Sequence, residues 1–251
     1  ESVVIGISGG LDSTLALIVA VEAFNINGYD KKGIHAITMP CYGTTDRTLN
    51  NARRLMEILE VTSYEINIKD ACEQHYKDIG YDKSKLDVTF ENVQARERTQ
   101  ILMDVSNKIG SLVVGTGDLS ELALGWCTYN GDQMSMYGVN ASIPKTLVRG
   151  ILESYAEHHE GLKDVLLDIC DTPVSPELLP PNEDGTIKQK TEDKIGSYVV
   201  HDFILYYMLT HGFGPKKIFD LYVNAKTMHE KNIGVKEPVV DKQELLNNMD
   251  I

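Results

Sequence analysis

Apolar and polar positions along this chain alternate in blocks of two different periods. Val3, Val4, Ile5 and Ile7 form a short β-branched run, the pattern of a strand buried on both faces. Ser8, Gly9 and Gly10 interrupt it. Asp12, Ser13 and Thr14 then read as helix-starting residues, and Leu15, Leu17, Ile18, Val19 and Val21 carry a helical apolar face. The same alternation recurs downstream. Strands are predicted at residues 33–39, 62–68 and 111–116, and helices at 46–60, 69–81 and 90–109. Strand and helix taking turns in this way predict an α/β fold, a three-layer, doubly wound parallel sheet. Further helices are predicted at 144–159, 162–169, 198–210 and 215–225. Residues 172–190 hold Pro173, Pro176, Pro180, Pro181 and Gly185 and read as a mobile loop able to act as a lid. Residues 226–251 read as a charged tail, and the chain as one domain, 1–251, with C-terminal helices.

Ligands of doubly wound sheets lie beyond the carboxyl ends of the strands. Residues 8–13, 40–47 and 68–69 should therefore face one crevice. At residues 8–13 a strand, a glycine turn and a helix follow one another, which gathers free backbone N–H groups and the positive end of a helix dipole into an anion site. Gly9 and Gly10 let the backbone approach an anion closely, and Ser8 and Ser13 add hydroxyl donors. Asp12 would repel a phosphate unless a cation sits between them, and Mg²⁺ is the simplest such cation. A Walker-type P-loop is excluded by the missing lysine. Gly6-Ile7-Ser8-Gly9-Gly10 fits a serine-hydrolase elbow literally. The elbow, however, usually follows several strands, and no His-Gly-Gly motif accompanies it here. A plain joining turn is the structural alternative.

Other stretches add candidate chemistry. Glu121 follows the fourth strand and could complete a metal site with Asp12; alternatively it merely starts a short helix favourably. Gly115, Gly117 and Ser120 make only a partial dinucleotide fingerprint. Asn92 and Arg96, four apart, share a helix face, where the arginines could equally be solvated or paired with Glu91 and Glu97. Residues 126–134, with the only tryptophan, mix rings and amides in a way that suits a planar heteroaromatic ligand or, equally, a packed loop. Lys145 at a helix start opposes the dipole preference, which favours a task such as holding phosphates.

Composition narrows the classes. The 251 residues are 42% hydrophobic and 24% charged, as in an ordinary globule. A net charge of −13 argues against a nucleic-acid surface. No apolar run approaches the roughly 20 residues of a membrane span, and no signal peptide opens the chain, so a cytoplasmic location is expected. Cys41, Cys72, Cys127 and Cys170 show no Cys-x-x-Cys or zinc spacing, so reduced thiols are expected. The abrupt start suggests a domain cut from a longer chain.

Ser8-Gly9-Gly10-Leu11-Asp12-Ser13 resembles the pyrophosphate loop of the ATP pyrophosphatases. That group includes NAD, GMP and asparagine synthetases and tRNA-thiolating enzymes. Residues 87–95, 115–129 and 131–145 further resemble the NAD synthetase family, nearest the synthetase domain of its glutamine-dependent members. The resemblance implies a Rossmann-like, adenine nucleotide alpha hydrolase-like fold. It implies ATP-dependent amidation of deamido-NAD to NAD through an acyl adenylate. By it, Gly6, Ile7, Ser8, Gly9, Gly10, Leu11, Asp12, Ser13, Thr116 and Lys145 contact ATP. Asn92, Glu121, Trp126, Cys127, Thr128 and Tyr129 contact deamido-NAD, and Asp12 and Glu121 hold Mg²⁺. Asp12, Lys145 and Asp132 are the catalytic set, with Asp132 steering ammonium; a simple turn role is the alternative for Asp132. Gln189, Thr191 and Glu192 resemble the loop that closes over ATP. The family implies a homodimer or higher oligomer and, in the full-length form, a glutaminase domain supplying ammonia. Its basic C-terminal segment is not recognisable here. A tRNA thiolase would need basic patches and a reactive cysteine pair, neither of which is evident in the sequence. A GMP synthetase or a non-catalytic nucleotide module is the remaining alternative; the presence of both Asp12 and Glu121 argues against the module.

Overall fold

The structure, a computed structural model, describes residues 1–175, 177–180 and 191–230, the last five as backbone only. The chain forms two compact units, residues 1–190 and 191–251.

The first unit begins with β1 (Val3–Gly6), α1 (Leu11–Asn27), β2 (Ile34–Thr38), α2 (Asp46–Ile58) and β3 (Thr62–Glu65). It continues with α3 (Lys69–Asp78), α4 (Val88–Ile109), β4 (Leu112–Gly115) and α5 (Leu119–Leu124). It ends with β5 (Tyr137–Gly138), α6 (Lys145–His158) and α7 (Glu160–Cys170). Among the described residues the sheet has five strands in the order β3-β2-β1-β4-β5, all parallel. The predicted doubly wound α/β fold is the one observed.

Strand periodicity decides which residues meet which helical layer. Ile5, Ile34, Ala36 and Val114 face α1, α2, α6 and α7 in one buried cluster. Val4, Ile37 and Val113 face the opposite way, onto α3 and α4, with Phe90, Tyr76 and Cys72. β1 is central, with a partner strand on each side, which is why its run is apolar rather than alternating.

Some boundaries differ from expectation. α1 starts at Leu11, and its N-cap is Gly10 rather than a side-chain-capping residue. Regular β3 ends at Glu65, although Ile66 N and Ile68 N still donate to Thr38 O and Pro40 O. α4 starts early because Asp87 caps it, accepting from Thr89 N at 2.8 Å. β5 was not expected: it is two residues long, and among the described strands it pairs only with β4.

The second unit holds α8 (Glu192–Ile195), α9 (Tyr198–His211) and α10 (Pro215–Glu230). Ser197 caps α9, and Gly212 closes it in the left-handed conformation. Val200 and Tyr222 form its small core with Phe203, Ile204 and Phe219. Gln189 and the expected tail beyond residue 230 lie outside the described residues. No helix of the described residues is long and apolar enough to cross a membrane.

The turn after β1 is seated on the first turn of α2. Gly9 has φ +85°, and a Cβ there would lie 2.1 Å from Thr48 O. Gly28, closing α1, has φ +68° and nothing within 4 Å of such a Cβ. Gly28→Ala should cost about 1 kcal/mol from backbone strain alone. Gly9→Ala adds the collision and should cost about 3 kcal/mol or more. Equal losses in urea melts of the two variants would contradict this seating.

Candidate active site

β2 and β3 lie on one side of β1, while β4 and β5 lie on the other. The loops leaving β1 and β4 therefore diverge from neighbouring strands and open a crevice at their carboxyl ends. Asp12 enters from the β1 side. Asp118 and Glu121 enter from the β4 side, and Lys145 from the start of α6.

These four side chains form one cluster. Lys145 Nζ lies 2.5 Å from Asp12 Oδ2 and 2.9 Å from both Asp118 Oδ2 and Glu121 Oε1. Ligand oxygens of the three carboxylates lie within 4.8 Å of one another. The expectation that Asp12 and Glu121 share one edge holds, and Lys145 joins them. Asp118 was missed. It sits at the carboxyl end of a strand directly after Gly117 and immediately before a short helix, a position that could have singled it out. Asp118 Oδ1 accepts from Glu121 N at 2.8 Å and so caps α5.

Burial sets the electrostatics. It pushes the Asp12 carboxyl up to about 6 and the Glu121 carboxyl to about 8, and the neighbouring carboxylates add to both shifts. Burial opposes the charge on Lys145 as well, but the carboxylates of Asp12, Glu121 and Asp118 outweigh it and hold the lysine well above its usual range. Three carboxylates against one ammonium leave excess negative charge, and the buried Asp12 Oδ1 has no hydrogen-bond partner among the described residues. A cluster of hard oxygen donors with a charge deficit and an open ligand atom fits a divalent cation such as Mg²⁺.

Around the cluster, hydroxyls fix the glycine turn. Ser8 Oγ accepts from Gly10 N at 3.1 Å and meets Ser13 Oγ at 3.1 Å. Thr14 Oγ1 and Ser13 Oγ both donate to Gly10 O. No side chain caps α1, so its first N–H groups point into the crevice region as anion donors. Buried Asn140, which no local pattern marks, donates through Nδ2 to Asp12 O at 2.9 Å and to Thr116 O at 3.0 Å. It ties the two loops together.

The other expected residues form a neighbouring group. Asn92 Oδ1 accepts from Thr128 Oγ1 at 2.8 Å, and Arg96 Nε donates to Tyr129 O at 3.2 Å. This face of α4 thus holds the 126–130 loop. Trp126 and Cys127 are half-buried there, whereas Tyr129 is 73% exposed. Asp132 is exposed and accepts from Thr128 N at 2.6 Å, the turn role. Its charge interaction is with Arg98 rather than with the three-carboxylate cluster. Arg98 is itself half-buried, and its Nε donates to Met39 O at 3.1 Å. All four cysteines are free. Cys41 packs against the cluster that holds Cys72, and the neighbouring thiol lowers the Cys41 thiol. The two residues stand 31 positions apart in sequence, so no spacing motif shows this proximity.

The model of the NAD synthase family matches residues 1–233. The chain belongs to that family. A glutamine-dependent NAD(+) synthetase of Mycobacterium leprae is 48% identical over 225 residues, which make up 86% of this chain and 33% of that protein. One from Thermotoga maritima is 32% identical over 230 residues, 91% of this chain and 38% of that protein. The chain thus spans about a third of the length of the curated relatives it matches. Among solved structures, an NMN synthetase from Francisella tularensis gives a TM-score of 0.66 at 23% identity, covering 96% of this chain and 90% of that one. A glutamine-dependent NAD(+) synthetase from Cytophaga hutchinsonii gives 0.71 at 17% identity, with coverages of 98% and 43%. These likenesses bear on the fold alone.

Glu177 and Leu178 pack against α2 and α4. Glu177 Oε2 accepts from Thr48 Oγ1 at 3.0 Å, and Leu178 O accepts from Gln94 Nε2 at 2.8 Å. Burial raises the Glu177 carboxyl from its usual 4.5 to about 7, against the opposing effects of Thr48 and Arg98. A carboxyl raised in the folded state keeps its proton longer there than in the unfolded chain. The protein therefore loses stability as pH climbs from about 4.5 to about 7. Glu177→Gln removes that loss. Its advantage over the parent should grow across this window to the order of 3 kcal/mol and then level off. A pH-independent difference in denaturant melts would contradict the burial of this carboxyl.

Proposed function

We propose that this chain catalyses ATP-dependent amidation of deamido-NAD to NAD, releasing AMP and pyrophosphate. The observation that carries this reading is the Asp12–Asp118–Glu121–Lys145 cluster beside an α1 N-terminus that no side chain caps. Membership of the NAD synthase family and the names of relatives at 46–48% identity support this reading of the reaction.

In this reading the nicotinate carboxylate attacks the α-phosphorus of ATP to form an acyl adenylate, and ammonia then displaces AMP. The N–H groups of residues 8–13 receive the departing pyrophosphate. Lys145 stabilises charge on the leaving group, and its buried setting keeps it protonated for that task. Asp12 and Glu121 would hold a Mg²⁺ ion, which when bound supplies positive charge between the carboxylates and the phosphate oxygens. Asn92 and residues 126–129 bind the dinucleotide, and Asp132 steers ammonium. No protein nucleophile is required, so most of the rate comes from positioning and electrostatics. The relatives' names make glutamine the nitrogen source of the whole proteins, so we infer a glutaminase domain in the full-length form. A cytoplasmic homodimer belongs to the same reading.

The test is incubation with ATP, Mg²⁺, deamido-NAD and ammonium, read out for NAD and AMP. Nicotinic acid mononucleotide serves as the control acceptor, since one structural neighbour is an NMN synthetase. Formation of ADP instead of AMP, or binding without turnover, would remove this reading. Asp12→Asn should lower turnover roughly 100-fold or more. Its melting temperature should move by no more than about 2 °C, because removing one of three crowded carboxylates also relieves repulsion. A large melting loss would make Asp12 a structural residue.

A further inference from the structure

Of the three carboxylates around Lys145 Nζ, two reach the crevice and one does not. The side chains of Asp12 and Glu121 are 22% and 24% exposed, and that of Asp118 is 0% exposed. Asp118 is also the least free to turn. Its Oδ1 is engaged in capping Glu121 N, which leaves Oδ2 directed at the ammonium 2.9 Å away. Apart from this ammonium, Oδ2 has no hydrogen-bond partner among the described residues, so the ammonium is its charge compensation. A carboxylate oxygen cut off from water and from donors is costly unless a cation stays beside it. Asp12 and Glu121 have an alternative, since the crevice can supply them with water or ligand.

The same short stretch also fixes the backbone of the lysine. Lys145 N donates to Ser120 Oγ at 2.9 Å, and Ser120 is buried in α5. Residues 118–121 therefore grip Lys145 at both ends, through Ser120 at the main chain and through Asp118 at the ammonium.

Resting on the synthetase reading above, we propose that Asp118 is a positioning residue. It retains the Lys145 ammonium while Asp12 and Glu121 turn from the lysine to a divalent cation. With Asp118 matched to the lysine, Asp12 and Glu121 offer two negative charges to a divalent ion. Without Asp118, the ammonium falls back on those two carboxylates and competes with the metal for them.

The experiment is a cycle of Asp118→Asn, Lys145→Met and the double variant, with Mn²⁺ as probe and free ion followed by electron paramagnetic resonance. Asparagine keeps the cap on Glu121 N and removes the charge. Asp118→Asn should weaken Mn²⁺ binding about tenfold. The double variant, with the competing ammonium gone, should return to within about threefold of the parent, a non-additivity that only coupling through the lysine produces. In turnover, Asp118→Asn should lower kcat about tenfold or more with little change in KM for ATP, since a displaced lysine is missed in the transition state. A double variant as weak as Asp118→Asn would make Asp118 a metal ligand and overturn the proposal. So would an Asp118→Asn protein with the parent's Mn²⁺ affinity and kcat, or one that loses more than about 8 °C in melting temperature, since each leaves the residue idle or merely structural. The Mn²⁺ arm needs no turnover. If the parent makes no NAD, the synthetase reading falls, while the metal cycle still decides the role of Asp118.

Discussion

One buried ammonium sets the terms for this crevice. Lys145 is 3% exposed and stands among three carboxylates, one from the first turn of α1 and two from the cap and first turn of α5. Taking an ion out of water costs several kcal/mol in a real protein, and only close counter-charges offset it. Three counter-charges overshoot. Burial, with the neighbouring carboxylates adding to it, raises the carboxyls of Asp12 and Glu121, which hold protons more tightly than usual. The cluster thus has two ways to balance, with protons or with a divalent ion.

The chain as a whole does not help an anionic ligand, because it carries a net charge of −13. At physiological ionic strength, fields from exposed charges fade beyond about 8 Å. Groups lining the crevice therefore decide what binds. The α1 N-terminus, Lys145 and Arg98 are the cationic elements there, and they are fixed by backbone and buried contacts rather than by exposed ion pairs. Exposed pairs do occur on this unit. Arg53 with Glu65 and Lys31 with Glu60 are examples, and pairs of that kind contribute little.

Parts of this picture were legible from local pattern alone. The β-branched run before Ser8, the glycine turn and the helical face after it are short-range features, and a strand buried on both faces has few other ways to be written. Glu121 was legible because it follows the fourth strand, and the carboxyl ends of the strands border the ligand crevice of such a sheet. What was not legible depends on residues far apart in sequence. Asn140 bonds Asp12 O across 128 positions, and nothing near it marks that task. β5 has only two residues and exists through its pairing with β4. Asp12, Ser13 and Thr14 do stand in the first turn of α1, but the left-handed Gly9 turns the chain early and leaves Gly10 as the cap ahead of them. The meeting of Cys41 and Cys72 was likewise hidden, since it arises from how β2 and α3 lie against one sheet face.

Asp118 shows how burial, rather than residue type, divides the work within a cluster. By chemistry alone Asp12, Asp118 and Glu121 are equivalent oxygen donors. Only the fold separates them, because the cap on α5 consumes one oxygen of Asp118 and full burial removes water from the other. A group so confined can do one thing well, which is to keep a partner charge at a fixed place. The two carboxylates at the crevice keep solvent access and therefore the freedom to exchange partners. Electrostatic catalysis requires that combination, with fixed charges that need not reorganise and neighbouring ligand atoms that can.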